Sequence, residues 1–142
     1  MSQQLAPVSM AAQYLDEQYN NRLRVPDFLE RYVQPWQQRS AQARNSLPCK
    51  FDVPYLPSGA ANPAHRLDIF PAQGAARAVM VFIHGGYWRS LDKADFSFVA
   101  QAFTSQGVCV VVPNYSLCPA VTMEVLVLEQ VQALAWVYRN IS

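Results

Sequence analysis

Two apolar runs do most to limit what this chain can fold into. Residues 78–83 (AVMVFI) and 108–112 (VCVVV) are short, continuous and rich in β-branched side chains, the pattern of strands covered on both faces. Between them, Phe96, Val99, Ala100 and Phe103 recur at helical spacing. Asp92 is placed to cap that helix and Gly107 to end it. A strand, a helix and a second strand over so short a span predict a right-handed crossover and a parallel pair. The fold class is therefore α/β.

The rest of the chain extends this unit on both sides. Residues 1–8 read as a loose arm. Ser9 is placed to cap a helix running to about Asn21, with Tyr14, Leu15 and Tyr19 inward. A second helical stretch starts near Pro26, where Phe28, Tyr32 and Trp36 follow at helical spacing. Pro35 interrupts it, which predicts a kink or two short helices through Arg44. The period then changes. Cys49, Phe51, Val53 and Tyr55 alternate as in a strand, residues 57–63 (PSGAANP) are turn chemistry, and Leu67 and Ile69 alternate around Asp68. These elements predict a β-hairpin. After the second apolar run, Thr122 is placed to cap a last helix whose apolar residues Val127, Val131, Leu134 and Tyr138 fall at i, i+4, i+7 and i+11.

Composition narrows the class. Of 142 residues, 51% are hydrophobic and 15% charged, which fits a globular chain and not a disordered one. The net charge of +1 offers no global attraction to nucleic acid or to an anionic membrane, and neither is expected as a partner. Arg22, Arg24, Arg31, Arg39 and Arg44 cluster near Tyr32 and Trp36, a spacing that is usually the solvated side of helices. Cys49, Cys109 and Cys118 leave one thiol unpaired in any disulfide scheme and match no zinc spacing. A reduced cytoplasm is the expected compartment. The N-terminus lacks a signal-peptide pattern, and no apolar run reaches the roughly 20 residues of a membrane span.

The chemistry is concentrated where the first run stops, in HGGYWRSLDK (residues 84–93). Gly85 and Gly86 can adopt backbone angles closed to other residues and let a group approach the main chain closely. Peptide N–H groups in such a turn point away from the sheet and need partners. A ligand oxygen with developing negative charge would make the turn an oxyanion hole. The alternative is an ordinary β-to-α turn with aromatics packed over it, and turn chemistry alone leaves both open.

An oxyanion hole demands a nucleophile. The strand-to-helix elbow G-x-S-x-G is absent, and Thr104-Ser105-Gln106-Gly107 lacks its first glycine. His65 and His84 have no serine and carboxylate at readable spacing, so no Ser-His-Asp triad can be assembled. Ser90-Leu91-Asp92-Lys93 matches S-x-x-K, but its companions K-T-G and S-D-N are missing. Phosphate-binding glycine loops are missing too.

The stretches HGGYWRSLDKADFSFVAQAF, VVVPNYSLCPAVT and ALAWVYRN, with HRLDIFP upstream (residues 65–71), resemble the N-terminal half of the kynurenine formamidase (arylformamidase) branch of the α/β-hydrolases. The H-G-G-x-W motif is matched by His84, Gly85, Gly86, Tyr87 and Trp88, and N-Y-x-L-x-P by Asn114 to Pro119. The resemblance covers about residues 25–142. It implies an oxyanion hole built from the main-chain N–H groups of Gly86 and Tyr87. His84 and Gly85 would orient the loop, and Trp88 would wall it. It implies a strand order 1-2-4-3 and a single, incomplete α/β-hydrolase domain. Residues 1–45 form its helical arm, and residues 46–142 its front half (β-hairpin, then β-α-β-α), ending before the nucleophile strand. No catalytic nucleophile, acid or base is then expected within these residues. The substrate would be a small aryl formamide such as N-formylkynurenine, or an ester, and the complete enzyme could be a homodimer. No metal site is readable, and the implied chemistry needs no cofactor. A non-catalytic remnant or interaction module is the competing reading.

Overall fold

Val110 and Val112 point to one face of a four-stranded sheet and Cys109 and Val111 to the other, and all four are buried. This period of two within an unbroken apolar run is what a central strand requires. The strands are β1 (Lys50–Pro54), β2 (Arg66–Phe70), β3 (Ala78–Val81) and β4 (Val108–Pro113). Their order is β1-β2-β4-β3, as the resemblance implies. β1 and β2 pair antiparallel, with an irregularity between Lys50 and Val53. β2 also pairs antiparallel with β4, whereas β3 and β4 run parallel in the register Ala78↔Val108 to Val81↔Val111. The hairpin and the crossover are therefore both present.

The computed structural model describes residues 8–20 and 24–141. It divides into two compact units, Met1–Pro35 and Trp36–Ser142. The first holds helix α1 (Val8–Tyr19) and a π-helical turn, Leu29–Val33. Ser9 lies inside α1 instead of capping it. Tyr14, Leu15 and Tyr19, expected inward, are 61%, 51% and 78% exposed. The expected helix end at Asn21, and Arg22 with it, lie outside the described residues. Pro35 is the second residue of helix α2 (Gln34–Ser46), where a missing N–H does no harm, and the irregular turn comes just before it.

In the second unit, helices α3 (Val99–Thr104) and α4 (Met123–Asn140) cover opposite faces of the sheet. Ala100 packs with Phe70, Val110 and Val112, while Ala133 and Val137 pack with Tyr55, Leu67, Ile69, Cys109 and Val111. Asp92 caps a 3-10 turn (Lys93–Phe96) leading into α3, with Asp95 completing a reciprocal capping box. Gly107, at φ +77°, follows the end of α3. Thr122 caps α4.

Three further expectations of burial are corrected. β3 is an edge strand, not one covered on both faces, and Val79 and Ile83 are each 39% exposed. Phe103 is partly exposed at the end of the short α3. On α4, the stripe of Val127, Val131, Leu134 and Tyr138 faces outward, and the buried residues are Leu126, Glu129, Gln130, Ala133 and Val137. The helix is turned so that small Ala133 meets the sheet and Glu129 reaches polar partners on two loops.

Candidate functional site

β4 ends at Pro113 opposite Leu67, and β3 runs beside it in the same direction. The turn after β3, the loop after β4 and the β1–β2 connection therefore gather at one end of the sheet. An open cavity of about 490 Å³ lies there, lined by Asn62, Pro63 and Ala64, by Leu91 and Asp92, and by Asn114 to Leu117 with Ala120 and Val121. Loops at the carboxyl ends of parallel strands are where α/β sheets build their sites.

The turn is held in an uncommon shape. Gly86 has φ +127°, and Tyr87, Trp88 and Leu91 follow at +55°, +61° and +73°. A Cβ on Gly86 would sit 1.8 Å from the carbonyl oxygen of Ser90, so only glycine fits. The Gly86 carbonyl accepts from Ser90 Oγ (2.9 Å) and Arg89 N–H (3.1 Å), which points the opposite side of that peptide chain outward. Among the described residues, the N–H groups of Gly86 and Tyr87 donate to no acceptor. The Tyr87 side chain is 88% exposed. The Trp88 ring is tilted against Tyr115 at 5.8 Å, and its carbonyl accepts from Cys118 N–H. Gly85 has open space around its Cβ position, so close approach does not demand glycine there.

His84 is buried and stacked between Tyr115 (4.2 Å between centroids) and Phe96 (5.6 Å). Its Nε2 lies 3.1 Å from Asn114 Oδ1 and its Nδ1 2.8 Å from the Gly85 carbonyl. Asn114 donates through Nδ2 to Asp92 (2.7 Å) and accepts from Lys93 N–H at Oδ1 (3.3 Å). Its Oδ1 is therefore an acceptor, as is the Gly85 carbonyl, so each ring nitrogen of His84 faces an acceptor within the turn and its support. Tyr115 OH donates to the His84 carbonyl at 2.6 Å. Burial pushes the Tyr115 phenol up to about 12, so it remains a donor across neutral pH. His84 is thus buried behind the turn and is not among the residues that line the cavity.

Behind this turn lies a charge network invisible in the sequence pattern. Asp68 is fully buried and accepts from Lys93 Nζ (2.7 Å), from an Arg44 guanidinium N–H (2.5 Å) and from Asp52 N–H (2.9 Å). Lys93 also pairs with Asp52 at 2.9 Å, and Arg44 stacks over Phe51 at 4.1 Å. The hydrogen bond from Lys93 holds the Asp52 carboxyl below the usual carboxylate range. Arg44, grouped in the sequence with solvated arginines, is in fact a structural tie between α2 and β2. Lys93 is committed here while Ser90 bonds Gly86, so the S-x-x-K pattern forms no serine–lysine pair.

A third cluster joins residues that no sequence spacing connects. His65 Nε2 is 2.9 Å from Glu129 Oε1, and Ser58 Oγ is 2.6 Å from His65 Nδ1. Glu129 Oε2 accepts from Ser116 N–H at 2.7 Å. Ser58 and Glu129 are separated by 71 positions, and only the packing of α4 under the β1–β2 connection brings them to the same imidazole. A glutamate at an otherwise apolar helix position was the one signal that could have pointed to it. Among the described residues, no three His, Cys, Asp or Glu side chains gather as a metal site, and no helix is long and apolar enough to cross a membrane.

A strand order β1-β2-β4-β3 with a glycine turn after β3 defines the front part of an α/β-hydrolase. A provisionally assigned thioesterase from Silicibacter sp. superposes with a TM-score of 0.81 at 29% identity, over 90% of this chain and 48% of its own. Esterase B of Lactobacillus rhamnosis shares the fold at TM-score 0.60 and 23% identity, over 76% of this chain and 38% of its own. By sequence the chain resembles kynurenine formamidase: it is 25% identical to that of Salmo salar over 132 residues, 92% of this chain and 44% of the relative. It thus spans less than half the length of the curated relatives it matches here. No family model matches the chain.

Proposed function

We propose that this chain forms the oxyanion-binding front of a serine hydrolase of the kynurenine formamidase kind, acting on a small aryl formamide such as N-formylkynurenine or on a related ester. The observation that carries this reading is the pair of N–H groups of Gly86 and Tyr87, unpartnered among the described residues, on a turn of positive φ. In acyl transfer the carbonyl oxygen gains charge as the carbon becomes tetrahedral. Two fixed donors aimed at that oxygen stabilise the transition state more than the ground state. In this reading His84, Asn114 and Tyr115 hold the donors in place from behind, and the cavity that Asn114 and Tyr115 also line would take the aryl group. No G-x-S-x-G occurs in the 142 residues, so in this reading the nucleophile of the acyl-enzyme step is supplied outside them.

The test uses an active enzyme that contains this segment. Replacing Tyr87 by its α-hydroxy acid analogue removes the N–H and keeps the ring. We expect kcat to fall by about 10²–10³, the usual cost of one such donor, with KM little changed. An unchanged kcat would exclude Tyr87 N–H from the reaction. Proline at Gly86 is a poor substitute, because φ +127° is closed to it and the turn itself would be lost. The competing reading, an interaction module, draws on the exposed apolar stripe of α4 (Val127, Leu128, Val131 and Leu134).

A further inference from the structure

Ser58, His65 and Glu129 have the connectivity of an activated serine, and none of the three belongs to the Gly86–Tyr87 turn. Glu129 is buried, and its Oε2 is occupied by Ser116 N–H, which leaves Oε1 facing His65 Nε2 at 2.9 Å. A carboxylate only accepts, so neutral His65 carries its proton on Nε2. Its Nδ1 lone pair then faces Ser58 Oγ at 2.6 Å and accepts the hydroxyl proton. Asn62 Nδ2 lies 3.5 Å and 3.4 Å from the two ring nitrogens, while its Oδ1 accepts Ala64 N–H at 3.0 Å. Tyr55 stands against the ring at 6.0 Å between centroids. The imidazole is therefore fixed in tautomer and orientation, whereas Ser58 itself is exposed on a 3-10 turn. A nucleophile that bonds a base, and a base oriented by a carboxylate, is the arrangement that raises serine reactivity, whatever the fold that carries it.

We infer that Ser58 is an acyl-accepting nucleophile for small activated aryl esters, with His65 as its general base and Glu129 as the positioning residue. Ser58 Oγ attacks the ester carbonyl carbon as its proton passes to His65 Nδ1. The new Oγ–C bond forms, the bond from carbon to the aryl oxygen breaks, and the proton leaves His65 with the phenolate. The products are O-acyl-Ser58 and a phenol. The same attack on a fluorophosphonate forms an Oγ–P bond and releases fluoride.

The chain supplies its own controls, since Ser46 and Ser105 are exposed and, among the described residues, bond no histidine. The 142-residue protein is treated with a fluorophosphonate, and separately with p-nitrophenyl acetate, and adducts are located by peptide mass spectrometry. We expect Ser58 to be modified at least about 100-fold faster than Ser46 or Ser105, the lower end of what a general base contributes. Ser58→Ala should abolish that adduct. His65→Gln should bring Ser58 down to the rate of the control serines. Circular dichroism shows whether the histidine variant is folded; if it is not, the comparison of the three serines within the unaltered chain decides. Equal modification of the three serines, or none at Ser58, overturns the proposal and leaves the cluster as a tie between the β1–β2 connection and α4.

Discussion

Removing the Asp68 carboxylate should destabilise the sheet unit more than any other single charge deletion outside the turn. Asp68 is fully buried and holds three donors, two of them charged. In Asp68→Ala, Lys93 stays buried, and its remaining ion-pair partner among the described residues is Asp52, whose side chain is 53% exposed. Arg44 keeps Ser97 Oγ at 3.2 Å and its stacking on Phe51, so it is partly compensated. The main loss is thus one buried cation without its buried partner. Breaking a buried ion pair from one side costs about 3–5 kcal/mol. With a denaturant slope near 1.5 kcal/mol per molar urea, the midpoint should fall by roughly 2–3 M. Urea titration followed by tryptophan fluorescence and circular dichroism measures this. Asp68→Ala/Lys93→Met should recover part of the loss, because the stranded charge is gone. A midpoint shift below about 0.5 M for the single variant would refute the argument, since Lys93 would then have found water or another partner at little cost.

Burial pushes the Cys49 thiol up to about 12, so iodoacetamide at pH 8 should leave Cys49 unmodified in the folded chain and alkylate it in urea. Lys93 depresses the Asp52 carboxyl, so its stabilising contribution is complete above the ordinary value of about 4 and is lost as pH falls through the lower folded value. Urea midpoints measured from pH 6 to pH 2 should show a shallower acid decline in Asp52→Asn than in the unaltered chain. The β3 edge bears unpaired backbone groups, and α4 presents Val127, Leu128 and Val131 to solvent. Both features favour self-association. Light scattering after size exclusion should therefore find oligomers, and Val127→Lys/Val131→Lys should shift the chain toward monomer; a concentration-independent monomer in the unaltered protein would count against this.

The element order was legible because each element is written locally. Alternation in residues 49–55, unbroken apolar runs at 78–83 and 108–112, and caps at Asp92 and Thr122 are all short-range signals, and the strands and helices sit within a few residues of them. The glycine turn was legible for the same reason, since Gly86 is required by the backbone at its own position. Which face of an element is covered was not. A stripe such as Val127, Val131 and Leu134 names an apolar face but no partner for it. The sheet selected Ala133 and Val137 instead, because small side chains allow close approach and Glu129 had to meet His65 and Ser116. Asp68 with Arg44 and Lys93, and Ser58 with His65 and Glu129, belong to the same class of decision. Each group is assembled from segments far apart in the chain, and a buried charge or imidazole is tolerable only where the tertiary fold brings its partners within hydrogen-bond distance.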